Sequence, residues 1–176
     1  MKRHAGLLLL GSLLVQGCGY ALEGRGISVD PSIKRIGVPL LKDQTGKTGL
    51  DQRITEKLIE ELLRKGRFEV VESAVGVDAV LEGTLLSYTS QAIGFSRADA
   101  EGRSEASRYA ALLTAKLRYA KPGESQPIWE AENFTARDEY DIGVDAENYF
   151  DREEQALDRI AVAFAKSVVS AMLEAF

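Results

Sequence analysis

Hydrophobic and polar positions alternate along this chain with two different periods, and the periods divide it into elements. Over residues 48–65 the apolar Leu50, Ile54, Leu58 and Leu62 recur every four positions, with Ile59 and Leu63 widening the stripe. That spacing predicts an amphipathic helix. Thr48 and Asp51 have capping-box spacing at its start. Arg64 and Lys65 suit the negative end of the helix dipole, and Gly66 suits its C-cap. A second helix is predicted from about Glu147 to Leu173. Leu157, Ile160, Ala161, Phe164, Val168, Met172 and Ala175 keep helical spacing there, and Asp151, Glu153 and Glu154 suit its N-terminal end.

Elsewhere the period is two. From Arg108 to Tyr119, one face carries Tyr109, Ala111, Leu113, Ala115, Leu117 and Tyr119. The other face carries Arg108, Thr114, Lys116 and Arg118, which predicts a half-buried strand with a polar outer face. After a Lys121-Pro122-Gly123-Glu124 turn, Ile128 to Tyr140 alternates again. Shorter runs predict strands from Ile33 to Val38, stopped by Pro39, from Phe68 to Val71 and from Ala79 to Thr89. Lys42 to Lys47 reads as a polar loop, and the Gly-, Ser- and charge-rich residues 92–107 as another. The order is strand, helix, four strands, helix. Two amphipathic helices then bury their stripes against one face of a sheet. The expected fold is a two-layer α/β sandwich with a mixed, mostly antiparallel sheet of about four to five strands.

The first residues change the picture. Lys2 and Arg3 precede the apolar run Leu7 to Val15, which meets Gly17-Cys18-Gly19. A positive start, a short apolar stretch and a small residue before the break describe a secretory signal. The run is too short for a membrane span, which needs roughly 20 apolar residues. Cys18 is the single cysteine. Its setting, Val15-Gln16-Gly17-Cys18, resembles a bacterial lipobox, with Gln16 where a small residue is usual. Acylation at Cys18 is therefore expected, rather than a stray thiol in a secreted protein. Gly19 stands where an Asp would retain a lipoprotein in the inner membrane, so the outer membrane is expected. The expected divisions are a signal over 1–17, a lipid-anchored Gly-rich tether over 18–31 and one domain over 32–176.

Composition then removes whole classes of function. Without its signal the chain keeps 20 basic against 27 acidic residues, a net charge of −7. An acidic domain is a poor nucleic-acid binder. The only histidine is His4, inside the signal. Ser-His and Cys-His nucleophile pairs are therefore impossible in the mature chain, and its commonest zinc ligands are missing. A carboxylate pair could still act on glycosides, but the acidic residues fall mostly on expected solvated faces. Gly46-Lys47-Thr48 invites a phosphate-loop reading. That motif needs a Gly five residues before Gly46, and Leu41 stands there. No enzyme activity, metal or cofactor is expected.

Three segments carry a family resemblance. Gly17-Cys18-Gly19-Tyr20-Ala21-Leu22, Ile36-Gly37-Val38-Pro39 with Asp43-Gln44-Thr45, and Asp78-Ala79-Val80-Leu81-Glu82-Gly83 resemble the lipopolysaccharide-assembly lipoproteins, the LptE family. The resemblance implies a non-catalytic outer-membrane lipoprotein seated in the lumen of the large β-barrel LptD. There it would assist assembly of the barrel, plug it and take part in delivering lipopolysaccharide to the cell surface. The resemblance also implies lipopolysaccharide contacts through basic residues, for which Arg97, Arg103, Arg108, Lys116 and Arg118 are the candidates. Arg and Lys suit lipid A phosphates; the competing reading is a solvated strand face with loop charges. A second class of function is a lipoprotein that regulates a peptidoglycan synthase or forms part of a secretion channel. Such a protein needs a long linker, whereas a dozen residues here span about 40 Å at most.

Overall fold

The computed structural model describes residues 30–96, 104, 106–142 and 149–175. Cys18 and its signal, Arg97, Arg103 and the expected helix start at Glu147 lie outside those residues. The elements are β1 (Arg35–Gly37), β2 (Lys42–Asp43), α1 (Leu50–Arg64), β3 (Glu69–Val71), β4 (Ala79–Phe95), β5 (Ala106–Ala120), β6 (Trp129–Asp141) and α2 (Tyr149–Glu174). The strands form one mixed sheet in the order β3-β1-β4-β5-β6, with β2 also paired to β4. The sheet has six strands rather than four or five. The extra one is β2, two residues inside the stretch that composition marks as loop.

Pairing follows from connection length. β1 and β3 are parallel, so the chain must cross over between them, and α1 is that crossover. β1 and β2 both run parallel to β4, at Ala79–Val80 and at Thr84–Leu85. The long strands β4, β5 and β6 are antiparallel neighbours. A tight turn joins β5 to β6, in which the Glu124 amide donates to the Lys121 carbonyl at 3.2 Å. Gly123 has φ +83°, and Pro122-Gly123 matches the chemistry of a type II turn.

β4 and β5 reach further than composition suggests. Gly94 pairs with Arg108 and Phe95 with Ala106, so both ends of the expected 92–107 loop are strand. Cross-strand hydrogen bonds supply what local propensity lacks there.

The core lies between the sheet and the helices. Leu50, Ile54, Leu58 and Leu62 of α1 are buried, as are Leu157, Ile160, Phe164, Val168 and Met172 of α2. They meet Leu81 and Leu85 of β4 and Leu113, Leu117 and Tyr119 of β5. Phe134 of β6 packs edge-to-face on Phe164 at 5.4 Å. Three local expectations fail. Leu63 is 52 % exposed, because it lies outside the arc that touches the sheet. Ala175 is exposed just past the end of α2. The Thr48–Asp51 capping box does not form: Gly49 is the N-cap, at φ 75°, with no side-chain cap. The sharp turn off β2 takes that left-handed residue, and glycine tolerates it.

The resemblance segments have structural duties. The Asp78 carboxylate accepts the amides of Lys34 and Arg35 at 2.9 and 2.8 Å, fixing the start of β1. Those two backbone bonds hold its pKa below the ordinary carboxylate value. A Cβ on Gly37 would lie 2.2 Å from the Ser73 carbonyl oxygen, and one on Gly83 would lie 2.4 Å from that of Lys116. Neither position accepts a side chain without a backbone shift. Asp30, where the described chain begins, is ion-paired to Lys121 at 2.7 Å. That bond and those from Ser32 hold the Asp30 carboxyl far below its usual range. The chain thus enters the domain beside the β5–β6 turn.

Candidate functional site

The outer face of the sheet, away from the helices, carries the chemistry. Strand alternation that sends Leu113, Leu117 and Tyr119 inward sends Arg108, Lys116 and Arg118 outward. Register places carboxylates beside them. Arg118 lies between Glu82 of β4 and Glu130 of β6. Arg118 reaches Glu82 at 3.5 Å, Lys116 reaches Glu132 at 2.8 Å and Arg108 reaches Asp141 at 2.8 Å. Arg137–Glu139, at 2.7 Å, and Arg35–Glu69, at 2.9 Å, continue the pattern. The hydrogen bond between Arg108 and Asp141 raises the pKa of the first and lowers that of the second. This surface is a lattice of paired charges rather than a basic patch.

The structure brings two of the five candidate cations together. Lys116 and Arg118 are neighbours on one face of β5. Arg108 sits on the same strand eight residues before Lys116 and ten before Arg118, about 27 to 34 Å away. Arg97 and Arg103 lie outside the described residues.

A cleft of 330 Å³ opens beside Lys116 and Arg118. β1 leaves the β4 edge after Val80, and β2 rejoins it at Thr84. Pro39 and Leu40 span the gap between them. The cleft is lined by Pro39, Leu40, Lys42, Glu82, Gly83, Thr84, Lys116, Leu117 and Arg118. Lys42 is in register with Thr84, and Thr84 with Lys116, so the three form one row across β2, β4 and β5. Sequence reasoning missed Lys42. A two-residue strand shows no period, and nothing local marks it.

Lys47, the lysine of the apparent phosphate-loop motif, is committed elsewhere. Its ammonium contacts the buried Glu153 of α2 at 3.0 Å. Tyr88 donates to the same carboxylate at 3.2 Å. Burial and the adjacent Glu153 push the Tyr88 phenol above its ordinary pKa. Lys47 is therefore an internal counter-ion, not a phosphate ligand. A smaller cleft of 240 Å³ between α1 and α2 is walled by Lys57, Glu60, Glu61 and Arg64, whose charges pair among themselves. Among the described residues, no cluster of three or more His, Cys, Asp or Glu is placed to hold a metal.

The model of the LptE lipopolysaccharide-assembly family matches residues 33–172. The chain belongs to the LptE family. No curated protein matches it. Solved structures with the same fold include XCC0632 from Xanthomonas campestris, at 10% identity and TM-score 0.55, covering 82% of this chain and 87% of that one. Another is the PelC dodecamer from Paraburkholderia phytofirmans, at 11% identity and TM-score 0.52, covering 82% and 90%. At such identities the likeness concerns the fold alone. For this LptE-family chain, the matched span runs from before β1 to two residues short of the end of α2 and leaves out the Cys18 segment.

Proposed function

We propose that this protein is an outer-membrane lipoprotein, acylated at Cys18, that plugs the lipopolysaccharide-exporting β-barrel LptD. In that role it assists assembly of the barrel and takes part in delivering lipopolysaccharide to the cell surface. It is non-catalytic. Family membership supports the pathway, and the outer sheet face is the observation that carries the mode of action. A sheet face covered with paired charges suits docking against a polar barrel wall. Each ion pair satisfies itself before docking, so an apolar contact area is not required.

Arg108, Lys116 and Arg118 remain the proposed lipopolysaccharide contacts among the described residues, with Arg97 and Arg103 beyond them. The domain divisions carry over into the same reading: signal to residue 17, tether from Cys18 to Pro31, and then the folded domain. A tether of about a dozen residues, which spans about 40 Å at most, supports a domain held near the membrane.

The test is co-purification of the tagged, detergent-extracted protein with identification of its partners by mass spectrometry, for wild type and Cys18→Ala. A near-stoichiometric large outer-membrane β-barrel with wild type is expected. In cells lacking that barrel, Cys18→Ala is expected in the soluble periplasm. Recovery of a peptidoglycan synthase or a secretion subunit without a barrel would move the protein to the competing class.

A further inference from the structure

We propose that the cleft between β2 and β5 binds the phosphate-bearing end of an amphiphile, and that Lys42 is its principal phosphate ligand. The identity of the amphiphile as lipopolysaccharide rests on the function proposed above; the cleft chemistry does not. Three cations converge on the cleft from two strands: Lys42 from β2, and Lys116 and Arg118 from β5. Thr84 lies between Lys42 and Lys116 and adds a hydroxyl. Pro39 and the 55 % exposed Leu40 form an apolar rim on the same opening. Cations beside an apolar rim match a ligand with an oxyanion at one end and hydrocarbon at the other. Arg offers an oxyanion two parallel N–H groups, and Lys offers a point charge.

The three cations are not equivalent. Lys116 and Arg118 already hold Glu132 and Glu82. The Lys116–Glu132 pair is solvent-exposed and therefore weak, so an incoming phosphate can exchange with that carboxylate at small cost. Arg118 is held more firmly, because its guanidinium also donates to the Glu124 and Ser125 carbonyls at 3.1 and 3.4 Å. Among the described residues Lys42 has no ion-pair partner, and its charge is available without breaking a contact. Lys42 is also separated from the other two cations by more than 70 residues of chain. Only the pairing of β2 with β4 brings it to them. Glu82 is the carboxylate lining the cleft, so it opposes an anion there, and its removal acts in the opposite direction to removal of Lys42.

The experiment is calorimetric titration of the full-length, detergent-extracted protein with three probes: diphosphorylated lipid A, dephosphorylated lipid A and inorganic phosphate. Lys42→Ala and Glu82→Gln are compared with wild type, and Lys166→Ala, on the exposed side of α2, is the control. Lys42→Ala is expected to weaken diphosphorylated lipid A about tenfold, the value of one charge-assisted hydrogen bond at an open site. Glu82→Gln is expected to tighten it, and Lys166→Ala to leave it unchanged. Dephosphorylated lipid A is expected to bind weakly and to be insensitive to Lys42. Undiminished binding by a normally folded Lys42→Ala protein overturns the assignment. Inorganic phosphate binding as tightly as diphosphorylated lipid A overturns the amphiphile and leaves a free-phosphate site. Barrel co-purification is scored separately: a retained barrel with Lys42-independent lipid A binding removes this inference alone. A missing barrel with Lys42-dependent binding removes only the plug.

Discussion

The two faces of β5 place one strand in opposite environments. Its inner face sends Leu113, Leu117 and Tyr119 into the core. Its outer face carries Arg108, Lys116 and Arg118, each held by an exposed carboxylate. The same contrast separates two ion pairs of nearly equal length. Lys47–Glu153, at 3.0 Å, hides its carboxylate at 9% exposure between α2 and the sheet. Lys116–Glu132, at 2.8 Å, leaves its carboxylate 63% exposed. Distance does not separate them; solvent access does. A buried charge without its partner is costly, whereas an exposed one returns to water. The inner face therefore carries stability, and the outer face is free to be spent on recognition.

The largest break in this comparison comes from the core. Leu113→Ala is expected to cost about 2–5 kcal/mol of folding stability, through lost transfer energy and the cavity left behind. Urea unfolding measures it, and a loss no greater than that of an outer-face change would place Leu113 outside the packed layer. Next in size is the buried pair. Glu153→Ala is expected to cost about 2 kcal/mol, since it strands the Lys47 ammonium and leaves the Tyr88 hydroxyl without its acceptor. Glu132→Ala, the exposed counterpart, is expected to cost about 0.5 kcal/mol or less. Equal losses from these two substitutions would contradict the contrast between the faces.

The smallest effect sharpens the picture through pH. The Asp78 carboxylate has a folded pKa below its unfolded value of 3.8. Its stabilisation is thus fully present above that unfolded value and is lost as pH falls through the lower folded one. Thermal melts of wild type and Asp78→Asn should differ near neutral pH and converge as the pH drops below about 4. Asp30, held down by Lys121, titrates with the same sign. A gap that stays constant into acid would mean that the Asp78 charge contributes nothing at the start of β1.

Much of the fold was legible in advance, for a physical reason that also marks where legibility stopped. Leu50, Ile54, Leu58 and Leu62 announced the buried stripe of α1, because a four-residue recurrence brings side chains to one side of a helix. Tyr109 to Tyr119 announced both faces of β5 by the same logic at period two. Leu63 was misjudged because width of stripe depends on what packs against it. Gly49 displaced the expected cap because the turn leaving β2 was invisible. The ends of β4 and β5 were missed because Gly94 and Phe95 become strand through partners on β5.

The candidate site divides along the same line. Sequence alone determined that Arg108, Lys116 and Arg118 face outward together, that the one histidine is His4 and the one thiol Cys18, and that Cys18 sits in a lipobox-like setting. Only the tertiary structure decided what those cations meet. Strand pairing put a carboxylate beside each, and packing of α2 turned Lys47 inward to Glu153. The gap between β1 and β2 on the β4 edge then opened the cleft and placed Lys42 beside Lys116. Periodicity reports which face a residue takes. The neighbour it finds there depends on strand order and register, which contacts distant in the chain establish.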